Sequence, residues 1–259
     1  MAGQPKKPGL SAWPAGAAPG PLSEAPRAGK RLRFIYERLL ARFGPRHWWP
    51  GESPFEVMVG AVLTQNTAWR NVEKAMANLA AHGLLTAEAM AAVPDETLAG
   101  LIRPSGYFNV KARRLKALVG TVLSLGRGGR EPDMLAMPLA AQREALLGVT
   151  GVGPETADSI LLYAANLPSF VVDAYTRRLL SRHGLAKGDE PYGDIRDWFM
   201  RHLPPDAPLY NEYHALIVTV GHQKCGPRRP DCPSCPLNDD PLLDPRLAGA
   251  VATSGKAFG

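Results

Sequence analysis

The stretch Leu147-Gly148-Val149-Thr150-Gly151-Val152-Gly153-Pro154-Glu155-Thr156-Ala157 carries residue types suited to holding an anion. An apolar helix closes, a turn with glycines follows, and proline opens the next helix. Gly151 and Gly153 can take backbone angles closed to other residues, and without a Cβ they let a phosphate approach the main chain. The N–H groups of the turn and of the first helical residues beyond it have no intrahelical partners, so they can donate to a phosphate oxygen. Such contacts position a duplex without reading its bases. Taken alone, the stretch fits a plain corner between two helices equally well. Two further groups stand out. Asp173 precedes a helical pattern, where a carboxylate suits a cap. The chain's three cysteines, Cys225, Cys232 and Cys235, all lie in one short segment. An odd number so spaced argues for a reducing compartment and against a disulfide scaffold.

The elements that must position these groups read almost entirely as helix. Leu32, Ile35, Tyr36, Leu39 and Leu40 recur at helical spacing. Ser53-Pro54 places a cap before a first-turn proline, and Phe55, Val57, Met58 and Val62 follow. Asn71–Ala81, Val110–Leu125, Pro154–Ala165, Asp173–His183, Tyr192–Leu203 and Pro208–Gly221 continue the pattern, with a short helix from Pro94-Asp95-Glu96 that Pro104-Ser105-Gly106 breaks. Alternating β-branched runs are nearly absent apart from Phe170-Val171-Val172. The fold class predicted is all-α. Residues 1–29 and 238–259, rich in small residues and proline, are predicted to be a disordered arm and a loose tail.

The chain has 259 residues, 45% of them hydrophobic, enough for one large domain or two small ones. Thirty basic against 24 acidic side chains give a formal charge of +6, which suits a polyanionic partner such as nucleic acid. No run of apolar residues is long enough to span a membrane. Lys6 and Lys7 are followed by no apolar segment of signal-peptide type.

Gly151-Val152-Gly153 with Thr156-Ala157, then Val171-Val172-Asp173-Ala174-Tyr175 and Arg178, and Leu63-Thr64-Gln65-Asn66-Thr67 upstream, resemble the endonuclease III superfamily of helix-hairpin-helix DNA glycosylases. The resemblance runs from about Arg33 to Leu237. It implies a six-helix barrel, 57–167, ending in the hairpin, and a second helical domain made from both chain ends, 30–56 with 168–237, with a DNA-binding cleft between them. It also implies a monomer acting on DNA in the cytoplasm, associated with the nucleoid. In that family the aspartate matching Asp173 is essential. A carboxylate beside the sugar can stabilise the cation formed as the N-glycosidic bond breaks, and can orient the attacking water. The strand-cutting members carry a lysine two residues after the second hairpin glycine, whose amine forms a Schiff base. Here that residue is Glu155, and a carboxylate forms no imine. The expectation is hydrolysis without efficient lyase activity, leaving an abasic site for a downstream AP endonuclease. Glu155 also fits a solvated first-turn acid and receives no catalytic role.

Trp48-Trp49-Pro50, Phe55-Glu56, Gly60 to Thr67, and Arg103-Pro104-Ser105-Gly106 with Asn109, Lys111 and Ala112 are similar, more narrowly, to the endonuclease III-like 3-methyladenine DNA glycosylases. That resemblance implies aromatic side chains at Trp48, Trp49 and Trp69 around a flipped base, with Gln65 and Tyr107 entering the duplex. An enzyme acting on a base must unstack it. Aromatic faces replace that stacking at roughly 1–3 kcal/mol per base, and an indole face favours a cationic N-alkylated purine. The tryptophans also fit ordinary core packing, Gln65 a helix-end cap, and Tyr107 packing beside Phe108.

Cys225-x6-Cys232-x2-Cys235 matches the first three ligands of the superfamily's iron–sulfur loop, and Lys224, Arg228 and Arg229 keep its basic character. The usual fourth cysteine falls at Pro241, whereas a [4Fe–4S] cluster ordinarily takes four thiolates. Asp239, Asp240 or a small external ligand is the remaining candidate for the fourth iron, and zinc on three cysteines with His222 is the other metal option. Two further functions stay open: a glycosylase for oxidised or deaminated pyrimidines, and a non-catalytic lesion-binding module.

Overall fold

The computed structural model describes residues 28–125 and 134–240. Among the described residues every regular element is helical, as the sequence predicts. The chain divides into two compact units: an inner unit, Trp49–Leu167, and a terminal unit built from the residues up to Trp48 and those from Pro168 onward.

The inner unit contains α2 (Pro54–Leu63), α3 (Trp69–Ala81), α4 (Ala87–Ala92), α5 (Asp95–Leu101), a 3-10 turn (Arg103–Ser105), α6 (Phe108–Leu125), α7 (Leu139–Leu147) and α8 (Pro154–Ser159), which runs on as a π turn (Ile160–Ala164). Caps foreseen from sequence are formed: Ser53 accepts from the N–H of Glu56 at 3.2 Å, with Pro54 in the first turn. α2 is buried nearly all round and forms the centre of the core, packed with α3, α6 and the π turn. Its Val, Met and Leu side chains share one buried core with Leu79, Leu98, Leu115, Leu118 and Ile160 of the other helices. α4, a short helix that apolar spacing does not predict, is started by Thr86, whose hydroxyl accepts from Ala89 N–H. Apolar spacing predicts plain helix through Ala165. Ala165 N–H instead reaches back to Ile160 at 3.1 Å, one residue further than an α-helix allows.

The terminal unit contains α1 (Ala28–Phe43), α9 (Ala174–Arg182), α10 (Tyr192–His202) and α11 (Ala207–Gln223). Phe170 stacks on Phe199 with ring centres 3.8 Å apart, and Tyr210 and Tyr213 meet Phe170 edge-on. The Tyr213 hydroxyl donates to Leu32 at 2.8 Å and so ties α1 to α11 across the whole chain.

Three boundaries differ from those expected. The first break lies at Trp48/Trp49, because all of α2 packs inside the inner unit. Residues 28 and 29 belong to α1 and not to an arm, since Ala28 is already buried. Residues 238–240 are not loose. Asp240 is buried and binds Arg31 at 2.6 and 2.8 Å and His183 at 2.6 Å, while Asp239 pairs with Arg38. The rest of the expected arm and tail, 1–27 and 241–259, lies outside the described residues.

Candidate functional site

Asp173 is the N-cap of α9, and its two oxygens have separate roles. Oδ1 accepts from the backbone N–H of Thr176 at 2.7 Å and from its hydroxyl at 2.9 Å. Oδ2 faces Nε2 of His214, 3.5 Å away on α11. The cap therefore uses one oxygen, while the other is paired with His214. Burial raises the carboxyl's pKa. The charge and hydrogen bond of His214, with the bonds from Thr176, outweigh that and hold it below the usual carboxylate value. The side chain remains 13% exposed, so the ionised carboxylate is accessible. No sequence signal marks His214. It sits one helical position from the buried Tyr213 and reads as another core residue until α11 is laid against α9.

In the inner unit, the hairpin turn presents Gly151, Gly153, Pro154 and Glu155 at the surface while Val149 and Val152 anchor it in the core. The two glycines differ. Gly151 has φ +86°, and a Cβ there would come within 2.5 Å of the Arg114 side chain. Gly153 has φ −91° and ψ 178°, ordinary extended angles, with open space where a Cβ would sit. The expectation of a special backbone angle thus holds for Gly151 and is corrected for Gly153. The first turn of α8 has no side-chain cap.

Gln65 does not project freely. Its amide donates to Gly151 O at 3.1 Å and Thr156 Oγ1 at 2.9 Å, and its carbonyl oxygen accepts from Arg114. Gln65, Arg114 and Thr156 therefore join the hairpin to the end of α2. Tyr107 is 73% exposed, with a left-handed backbone at φ +46°, and does not pack as a core residue.

Trp49 lies along α2 where Gly60 leaves room, since a Cβ at 60 would come within 2.8 Å of the indole. Trp49 meets Trp69 edge-on with centres 5.3 Å apart, and meets Tyr163 on the π turn at the same separation. Nothing in the local sequence points to Tyr163, and only the π turn brings it to Trp49. Trp48 is half-buried and falls in the terminal unit. The three inner rings are half-buried and rest on the core, an aromatic cluster with no parallel-walled slot already formed.

Cys225, Cys232 and Cys235 line one small pocket with Arg182, His183, Lys224 and Leu237. Arg182 donates to Cys225 Sγ at 2.9 Å and to Gly226 and Pro227 carbonyls, and Arg178 donates to Cys225 O at 2.7 Å, so α9 holds the loop. Burial pushes the Cys235 thiol up to about 11 and raises Cys232 as well. Among the described residues no group of three His, Cys, Asp or Glu side chains is placed to hold one metal ion. Asp239 pairs with Arg38, and Asp240 with Arg31 and His183.

Residues 59–205 match the HhH-GPD superfamily of base excision DNA repair proteins, and the chain belongs to that family. It is 43% identical over 205 residues to the putative DNA repair glycosylase MJ1434 of Methanocaldococcus jannaschii, covering 79% of this chain and 93% of that one. It is 32% identical to endonuclease III of Thermotoga maritima over 80% and 91% of the two chains. A solved 3-methyladenine DNA glycosylase of H. pylori, MagIII, bound to 1,N6-ethenoadenine, superposes with a TM-score of 0.66 at 30% identity, over 76% of this chain and 97% of that one. The chain is a DNA glycosylase of base excision repair. No described helix is long and apolar enough to cross a membrane.

Proposed function

We propose that the chain is a monofunctional glycosylase that hydrolyses the N-glycosidic bond of an N-alkylated purine. The observation that carries the base class is the Trp49–Trp69–Tyr163 cluster. An alkylated purine is cationic, and electron-rich ring faces hold it better than a neutral pyrimidine. The solved relative MagIII holds 1,N6-ethenoadenine, a modified purine, which supports the purine part of this reading. Such a base also leaves with its bonding electron pair without prior protonation. The work left to Asp173 is electrostatic and positional. Its ionised carboxylate stabilises the sugar cation, and Oδ2 orients the water that attacks C1′ and accepts the proton that water loses, passing it on to solvent. The product is an intact abasic site, which calls for an AP endonuclease to follow. Cys225, Cys232 and Cys235 would hold three irons of a [4Fe–4S] cluster, whose contribution is to brace the loop.

Mass spectrometry of bases released from randomly alkylated DNA tests the substrate: free 3-methyladenine or a similar alkylpurine is expected. Release of uracil or thymine glycol in its place overturns the base class, and binding without any release makes the chain a lesion-binding module.

The strand-cutting lysine position is occupied by Glu155, an exposed first-turn acid. Borohydride added during turnover is therefore expected to trap no protein–DNA adduct, and a strong trapped band on a denaturing gel contradicts the hydrolytic mechanism.

The hairpin glycines separate stability from DNA contact. Gly153→Ala keeps an allowed backbone and meets nothing, so the fold should be unchanged while affinity for undamaged duplex drops, the new methyl standing between phosphate and N–H. Gly151→Ala should lose about 1–2 kcal/mol of stability from the left-handed backbone alone. Thermal melts and fluorescence anisotropy on both variants check this.

A further inference from the structure

Lys111, on α6, is 1% exposed, a position that an ammonium group rarely takes. Its Nζ donates to Leu63 O at 2.8 Å and to Ser105 O at 2.7 Å. Leu63 is the last residue of α2 and Ser105 the last of the 3-10 turn, so both carbonyls are helix-end acceptors in need of a donor. Two residues beyond Leu63 stands Gln65, and two residues beyond Ser105 stands Tyr107. The loops that follow are strained. Asn66 and Tyr107 have φ of +53° and +46°, and Gly106 between the anchor and Tyr107 has φ +69°. Non-glycine residues in this region persist only where the surroundings hold them. Tyr107 combines that left-handed backbone with 73% exposure. One turn further along α6, Arg114 binds the Gln65 side chain.

We propose that Lys111 is the positioning residue for duplex opening: its buried ammonium pins the loop that carries Tyr107 to the end of α2 and thereby holds the exposed Tyr107 for entry into the helix. The proposal rests on the function proposed above and adds to it the entry of the exposed Tyr107 into the duplex. An apolar residue would fill the same space, but would leave two buried carbonyls unpaired and the loops joined by nothing polar. Burial and then the charge of Arg114 lower the lysine's pKa to about 8, so the cation persists at neutral pH.

The test uses the full chain and a duplex with 2-aminopurine beside an alkylated purine, whose emission rises when the stack opens. At saturating protein, Lys111→Met is expected to give a clearly smaller emission rise than wild type and to slow base release about 10- to 100-fold. Affinity for undamaged duplex, which reports the hairpin, should be kept. Tyr107→Ala should show the same emission defect, and the double variant should be no worse than the poorer single one. A wild-type emission rise with Lys111→Met overturns the proposal, as does a loss of undamaged-duplex affinity in proportion to the loss of base release. If Lys111→Met lacks the helical circular dichroism of wild type, Lys111→Arg keeps a cation but displaces the shared anchor, and the same two outcomes decide. The emission readout needs no chemistry. A wild type that opens the stack and releases no base therefore counts against the glycosylase substrate assigned above, and the Lys111 comparison still stands or falls by emission.

Discussion

Asp173→Asn is expected to slow base release by about 10²- to 10⁴-fold, a loss of roughly 3–5 kcal/mol of transition-state stabilisation. The variant separates the two roles of this residue. Asparagine caps helices about as well as aspartate, so its side-chain oxygen can go on accepting from Thr176 and α9 should keep its start. What disappears is the negative charge beside the sugar. Circular dichroism and the melting temperature should therefore stay near wild type while single-turnover base release collapses. Unchanged release would remove Asp173 from the mechanism. The pH profile adds a second check. With the folded pKa held below 3.8, the carboxylate is charged throughout the neutral range, and its protonation should limit the rate only on the acid side of that value. The same sign holds for stability: the favourable contacts of Asp173 are present above the ordinary carboxylate pKa and are lost as pH falls through the lowered one.

The largest expected loss of stability comes from Asp240→Leu. Its carboxylate is 1% exposed and is shared by Arg31, 13% exposed, and His183, 4% exposed. Arg31 also donates to His183 O at 3.1 Å, so α1, the end of α9 and residue 240 meet at one point. Removing the acid strands a buried guanidinium, at about 3–5 kcal/mol. For a chain of this size that is a fall in melting temperature of roughly 6–20 °C. A companion double variant, Arg31→Met with Asp240→Leu, should recover much of the loss, because a buried ion pair replaced whole by apolar side chains is often nearly neutral. If the single variant melts like wild type, the network contributes nothing to stability. The result also bears on the cysteine loop, since this ion network holds the residue next to the position where the family has its fourth cysteine.

Much of the site is legible in local spacing. The turn glycines, the cap of α9 by Asp173 and the cysteine triplet are short-range patterns, and local hydrogen-bonding rules act over the same few residues. The absence of lysine at 155 is legible in the same way. What is not legible depends on which helices pack together. His214 reaches Asp173 only because α11 lies against α9, and Gln65 meets the hairpin only because α2 and α8 share one core. Tyr163 turns toward Trp49 through a π turn, a one-residue change in winding that leaves no mark on apolar periodicity. The tail residues Asp239 and Asp240 have the composition of disorder, and distant arginines alone make them part of the fold. Helical class, hairpin and missing amine are thus set by the order of residues along the chain. The division of Asp173's oxygens, the buried Lys111 tether and the anchoring of Asp239 and Asp240 by arginines are decided by tertiary packing, because each joins groups far apart in sequence whose charges and hydrogen bonds count only at contact distance.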